Sequence, residues 1–84
     1  MEDWIETEWI HYARELGLSL QRARNKRGYS QATVAGRAGI SIYTYRKLEH
    51  GISNPGYPAN PRLRTLVALC RVLEIPLREL LEAS

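Results

Sequence analysis

The sequence contains few of the residues from which catalytic and metal sites are built. Among 84 residues there are one Cys, two His and no Phe. Cys70 has no second Cys to pair with, and with His11 and His50 it lacks the spacing of metal ligands. The chain has no glycine-rich phosphate loop, and a domain of this size offers no pocket for a Ser/His/Asp set. We therefore expect no enzyme, no metal and no cofactor.

Long apolar runs are also missing. No stretch approaches the ~20 residues needed to span a membrane, and no signal-peptide pattern opens the chain. A length of 84 residues with 44% hydrophobic residues predicts one small globular domain over 1–84. A lone Cys is typical of proteins in the reducing cytoplasm, so we expect a cytoplasmic protein with no membrane partner.

Charge is unevenly distributed along the chain. The net charge is +3, but the first 13 residues contain four acidic residues and no Lys or Arg. The remainder contains all 12 basic residues against five acidic ones and therefore carries +7. A basic body with a short acidic lead favours a polyanionic partner that contacts the body and not the lead.

The segment 30–51 has the pattern of two short helices joined by one sharp turn. Ser30 and Ser41 are suited to cap the amino ends of helices, because a serine hydroxyl accepts from unpaired amides of the first turn. Gly39 and Gly51 are suited to end the helices in the left-handed conformation. Apolar residues at helical spacing are expected to point inward: Val34, Ala35, Ala38, Tyr45 and Leu48. A helix-turn-helix of this kind can place its second helix in the major groove of DNA.

Residues in and around this segment resemble the Cro/repressor-type helix-turn-helix family, the xenobiotic-response-element class of bacterial and phage regulators. Within the motif the matching residues are Gln31, Ala35, Gly39, Ile40, Ser41, Leu48, Glu49 and Gly51. Outside it they are Leu20, Arg24, Arg27, Gly28, Ser30, Pro61, Leu63, Leu66, Leu69, Leu73, Leu77, Leu80 and Leu81. The resemblance covers roughly residues 16–81. It implies an all-α, five-helix, lambda-repressor-like DNA-binding domain with residues 1–15 as an N-terminal helical extension.

The first helix is predicted to run from Asp3 or Trp4 to about Lys26. An apolar stripe repeats along it at spacings of three and four: Ile5, Trp9, Tyr12 or Ala13, Leu16, Leu20 and Ala23. Gly17 interrupts the pattern and could mark a break in the helix. The two Trp residues of the extension either fold back on the core or form a dimer contact.

An extended loop over 52–60 is rich in turn-forming residues and about five residues longer than in the family. After it, Asn60 is expected to cap a fourth helix that Pro61 begins. Residues expected to face inward from this helix are Leu63, Leu66, Val67, Leu69, Cys70 and Leu73. Pro76 is expected to open a short last helix that carries Leu77, Leu80 and Leu81.

The second helix of the motif is the expected recognition helix. At about 100° per residue, its face opposite Tyr45 and Leu48 carries Tyr43, Arg46, Lys47 and His50. The family resemblance implies base contacts from Ile42, Tyr43 and Lys47. Expected phosphate contacts are Gln31, Ser41, Thr44, Arg46, Asn54 and Tyr57. An ordinary solvated helix face is the alternative for these residues.

The resemblance assigns a structural role to Arg24 and Glu49, as an ion pair between the first helix and the end of the recognition helix. The expected function is that of a sequence-specific transcriptional regulator, a repressor that binds an inverted repeat of double-stranded DNA as a homodimer. The dimer contact is expected either on the last helix, near Arg78 and Leu81, or on the extension. The alternative function is a protein-interaction module with a protein partner, such as the antitoxin of a toxin–antitoxin pair, in which DNA binding is secondary.

Overall fold

Five helices account for most of the residues that the structure describes. The computed structural model describes the backbone of residues 2–53 and 56–82 and, within these ranges, the side chains from residue 6 onward. The helices are α1 (Glu2–Arg27), α2 (Gln31–Ala38), α3 (Ile42–His50), α4 (Leu63–Leu73) and α5 (Leu77–Leu81). The predicted all-α, five-helix fold is confirmed. None of the helices in these ranges combines the length and hydrophobicity needed to cross a membrane.

The helix α1 is continuous through Gly17, so the break that this residue could have marked does not occur. Gly17 is buried where α1 crosses the end of α3. A Cβ atom at Gly17 would lie 2.8 Å from the carbonyl oxygen of Leu48 and nearer still to that of Glu49. Gly51, with φ of +75°, meets the same crossing from the other side, since its Cβ would lie 3.0 Å from the carbonyl oxygen of Ala13. Gly17 therefore permits a close contact between α1 and α3 and does not end α1.

The core is built from all five helices, with α1 packed against α3 and α5 and α2 packed against α3 and α4. It contains the inward residues predicted for the motif, except that Ala38 is only partly buried against it. Tyr45, Leu20, Leu69 and Leu73 are among its fully buried side chains. The buried apolar residues are Ala13, Leu16, Leu20, Val34, Ala35, Tyr45, Leu48, Ala59, Leu66, Leu69, Cys70, Leu73 and Leu80. Cys70 is a free thiol in this core. The stripe predicted along α1 is thus buried in its middle portion, whereas Trp9 and Tyr12 remain partly exposed.

Residues 51–53 and 57–59, between α3 and α4, pair as the two arms of a hairpin. Ile52 and Pro58 form an isolated antiparallel bridge, and the amide of Ser53 donates to the carbonyl oxygen of Tyr57 at 3.2 Å. The amide of Ala59 then donates to the carbonyl oxygen of Gly51 at 2.8 Å. These bonds return the chain to the end of α3 before α4 begins.

The predicted start of α4 is wrong. The helix begins at Leu63, and Arg62 occupies the N-cap position without a side-chain cap. Asn60 and Pro61 precede the helix without regular secondary structure. The reason is tertiary: the backbone of Ala59 is bonded to Gly51 and to Trp9, and the residues that follow it lead from these anchors to the start of α4.

Two residues predicted to face inward from α4 lie on the surface instead. Leu63 is 65% exposed and Val67 is 43% exposed. The delayed start of α4 leaves Leu63 in its first turn, beyond the edge of the core. The other predicted inward residues of α4 are buried, as expected.

Candidate nucleic-acid interface

The geometry of the helix-turn-helix follows from its two serine caps and its glycine turn. The Ser30 and Ser41 hydroxyl oxygens each accept from an amide in the first turn of their helix, Thr33 and Thr44 respectively, at 3.0 Å. Gly39 ends α2 with φ of +76°, and its amide donates back to carbonyl oxygens of α2. These local signals set where α2 ends and α3 begins.

The helix α3 turns one face to the core and the other to solvent. Tyr45, Leu48 and Glu49 are buried. The residues exposed on the other side are Tyr43, Thr44, Arg46 and His50, with Lys47 partly buried among them. Ile42 also is partly buried and packs against the core. The solvent face therefore carries two of the three predicted base-contacting residues together, while Ile42 lies at its edge.

Tyr43 and Lys47 interact with each other on this face. The Lys47 ammonium lies 4.7 Å from the centre of the Tyr43 ring, one helical turn away. A cation over an aromatic face is attracted by the electron density of the ring. The contact restricts two side chains that would otherwise be free in solvent.

A chain of polar contacts runs from the interior to the solvent face of α3. The guanidinium of Arg24 donates to both carboxylate oxygens of Glu49, at 2.6 and 3.1 Å. The Gln31 amide nitrogen donates to Glu49 Oε1 at 2.9 Å. The Arg46 Nε group donates to the Gln31 amide oxygen at 3.3 Å. The ion pair expected between Arg24 and Glu49 is present, and Gln31 joins it to Arg46.

Glu49 is charged despite being only 4% exposed. Burial by itself would raise the pKa of Glu49, but hydrogen bonds from Arg24 and Gln31 outweigh it, and the net pKa lies below its usual value. The hydrogen bond from Arg24 to Glu49 likewise raises the pKa of Arg24. Next to this pair, burial raises the pKa of the Tyr45 phenol, so the phenol is neutral.

The predicted phosphate-contacting residues lie on different elements of the structure. Gln31 is at the amino end of α2, and Ser41 donates its hydroxyl hydrogen to Thr44 Oγ1 at 3.0 Å. Tyr57 is 66% exposed on the hairpin, in a cleft that it shares with Arg14 and His50 and not with Thr44. Asn54 lies outside the described residues.

Sequence reasoning did not select two residues that lie close to the solvent face of α3. Asn60 and Arg62 line one groove together with Thr44 and Lys47. Both are exposed polar residues in the segment that leads from the hairpin to α4. A signal was available, because Arg62 is a basic residue immediately before the fourth helix, but its proximity to Lys47 depends on how the hairpin folds.

Comparison with known proteins agrees with this geometry. No curated protein matches the sequence significantly. A solved structure, the restriction-modification controller protein C.AhdI from Aeromonas hydrophila, is similar over 81% of this chain and 94% of its own, with 28% identity and a TM-score of 0.71. The helix-turn-helix domain family matches residues 15–83. The chain therefore belongs to the helix-turn-helix domain family and is a DNA-binding transcriptional regulator of the Cro/repressor type.

Proposed function

We propose that this regulator is a repressor that binds an inverted repeat of double-stranded DNA as a homodimer. The observation that carries the proposal is the solvent face of α3, where Tyr43, Arg46 and Lys47 project from a helix whose other face is fixed in the core. The position of this helix after a glycine turn is that of a recognition helix in the major groove. A dimer covering two successive grooves would block access of other proteins to the same DNA.

The base contacts in this proposal come from Ile42, Tyr43 and Lys47. A lysine ammonium can donate to guanine O6 and N7, and an apolar side chain can meet a thymine methyl group. The backbone contacts come from polar residues that flank this face: Gln31, Ser41, Thr44, Arg46, Asn54 and Tyr57. The groove shared with Thr44 and Lys47 supports adding Asn60 and Arg62 to the backbone contacts.

The dimer contact in this proposal is one apolar surface built from two parts of the chain. Trp9 and Tyr12 from α1 line the same cavity as Leu80 and Leu81 from α5. Trp9, Tyr12 and Leu81 are each more than two-fifths exposed. The extension and the last helix, which were alternatives in the sequence, therefore adjoin each other. A second copy of the chain would cover both at once.

Selection from a random DNA pool tests the proposed function. We expect enriched duplexes to contain two inverted half-sites, about 10 base pairs apart from centre to centre, because successive major grooves are that far apart. Enrichment of single, unpaired half-sites would contradict the dimer on an inverted repeat. Absence of any enrichment would contradict sequence-specific binding.

The same apolar surface also fits the second candidate function, a protein-interaction module such as an antitoxin. A different protein could cover Trp9, Tyr12 and Leu81 in place of a second copy. Sedimentation of the purified protein separates the two. A dimer that dissociates when Leu81 is replaced by Lys supports the homodimer, whereas a monomer together with a toxin-like neighbouring gene supports the protein partner.

A further inference from the structure

The Gln31 side chain is fixed by the buried carboxylate beneath it. Glu49 Oε1 accepts from Gln31 Nε2 at 2.9 Å, and an ionised carboxylate can only accept hydrogen bonds. The amide nitrogen of Gln31 must therefore face Glu49. The amide oxygen is then turned the other way, toward Arg46. Arg24 holds Glu49 in turn, so the orientation originates in the interior of the protein.

This orientation matters for Arg46, whose long side chain lies on the exposed face of α3. A free arginine side chain loses rotamer entropy when it is ordered. The Gln31 oxygen accepts from Arg46 Nε at 3.3 Å, and this contact leaves the two terminal nitrogens of the guanidinium available. Those terminal nitrogens can donate two parallel hydrogen bonds to a phosphate group.

We infer that Gln31 is a positioning residue that holds the guanidinium of Arg46 ready for a DNA phosphate, and that its contribution to binding passes through Arg46. The inference rests on the proposed DNA contact of α3 and changes the role of Gln31 within it. Both polar atoms of the Gln31 amide already have protein partners. In this arrangement Arg46 supplies the charge and Gln31 orients the guanidinium of Arg46. The ion pair of Glu49 with Arg24 holds Gln31 in place.

A double-mutant cycle on DNA affinity tests this inference. The variants are Gln31→Ala, Arg46→Ala and the double substitution, measured with a duplex selected from a random pool by the wild-type protein and with a mixed-sequence duplex. Arg46→Ala should weaken binding to both duplexes and make the log–log salt slope shallower by about one per protomer. Gln31→Ala should weaken binding in the same way and to a smaller extent. In the Arg46→Ala background, Gln31→Ala should have no further effect.

Arg37→Ala provides a charge-matched control. Arg37 lies at the other end of α2, where its guanidinium stacks 4.8 Å from the ring centre of Tyr29 and is no part of the Gln31 contacts. Gln31→Ala should retain its full effect in the Arg37→Ala background. The inference would be overturned if the double variant lost affinity by the product of the two single losses. Gln31 would then have a phosphate contact of its own.

A measurement on the free protein separates failure of this inference from failure of the proposed function. Nuclear magnetic resonance can measure how fast the Arg46 Nε–H proton exchanges with water. This exchange should be slow in the wild type and faster in Gln31→Ala. The exchange should remain slow in Arg37→Ala. If the wild type binds no DNA, the proposed function is wrong, yet this exchange rate still reports the contact. An unprotected Arg46 Nε–H in the wild type would overturn the inference directly.

Discussion

Trp9 and Ala59 are joined by a hydrogen bond that spans 50 residues of sequence. The indole N–H of Trp9 donates to the carbonyl oxygen of Ala59 at 3.0 Å. Ala59 is fully buried, and its amide is bonded to Gly51 at the end of α3. The extension of α1 is thereby fastened to the segment that separates α3 from α4. Of the two alternatives for the Trp residues, folding back on the protein is observed for Trp9, while the side chain of Trp4 lies outside the described residues.

Replacing Trp9 with Phe should lower stability moderately. The phenyl ring retains most of the apolar contact, but the Ala59 carbonyl loses its donor. A hydrogen bond of this kind contributes about 1 kcal/mol, which corresponds to a Tm about 4–8 °C lower for a domain of this size. Thermal unfolding followed by circular dichroism measures the change. Tyr12→Phe on the same helix is the matched control and should change the Tm little, so equal effects of the two variants would contradict the role of the indole N–H.

Glu49→Ala should lower the free energy of unfolding much more. The substitution leaves the Arg24 guanidinium partly buried without its partner. Removing one member of a buried ion pair costs about 3–5 kcal/mol. Chemical denaturation of the purified protein checks this value, and the exposed Glu8→Ala should fall within about 0.5 kcal/mol of wild type. A Glu49→Ala protein as stable as the Glu8→Ala control would mean that the ion pair contributes nothing.

The same carboxylate should make stability depend on pH. Because the pKa of Glu49 is lower in the folded protein than in the unfolded chain, the folded state binds fewer protons. Its contribution is therefore complete above the unfolded pKa of about 4.3 and is lost as the pH falls through the lower folded value. Denaturation at a series of pH values should show this loss in the wild type and a weaker pH dependence in Glu49→Ala. Parallel pH profiles would contradict the lowered pKa.

Two glycines within helices should respond to alanine in opposite directions. At Gly17 the added Cβ would meet the backbone carbonyls of Leu48 and Glu49, so Gly17→Ala should separate α1 from α3 and lower the Tm. At Gly36 in α2 nothing lies within 4 Å of the added Cβ. Gly36→Ala should therefore raise stability by up to about 1 kcal/mol, the gain in helix propensity. A Gly17→Ala variant that is stabilised like Gly36→Ala would contradict the close crossing of the helices.

The helix-turn-helix was predictable because its signals are local. Ser30 and Ser41 each cap the helix that begins at the next residue, by accepting from an amide three positions further along. Gly39 adopts the left-handed conformation that its lack of a Cβ permits. These caps and this turn need no knowledge of how distant segments pack. The pair of Arg24 and Glu49 joins two helices, and it was predicted from the family resemblance and not from a local pattern.

The start of α4 and the role of Gln31 were not predictable in this way. The sequence Asn60-Pro61 carries a valid helix-start signal, but the tertiary bonds of Ala59 to Gly51 and Trp9 override it. Likewise the contact of Gln31 with Arg46 depends on the angle between α2 and α3, which no local pattern specifies. Gly17 was ambiguous for the same reason. A glycine is needed there because the end of α3 passes close to α1, and the sequence of α1 alone does not show this contact.

Removing the side chains proposed to contact bases should weaken specific binding without unfolding the protein. Lys47→Ala and Tyr43→Ala should each lose about 1–3 kcal/mol of discrimination between the selected duplex and a mixed-sequence duplex. Tyr43 is 68% exposed, so the Tm of its variant should match that of wild type. Tyr43→Phe keeps the ring beneath the Lys47 ammonium and should retain more discrimination than Tyr43→Ala. Equal discrimination by all three variants and the wild type would contradict the assignment of this face to the bases.

Affinity for DNA should fall as salt rises, because a basic body of +7 displaces counterions from phosphates. Several of the proposed backbone contacts come from uncharged side chains such as Thr44 and Tyr57, and only cations release counterions. We therefore expect about 4–6 neutralised phosphates per dimer and a log–log slope of about −4 to −5. Binding titrations over a range of salt concentrations measure this slope. Arg62→Ala should make it shallower, since Arg62 shares the groove with Lys47. A DNA affinity that does not change with salt concentration would contradict DNA binding through the solvent face of α3 and favour the protein-interaction module.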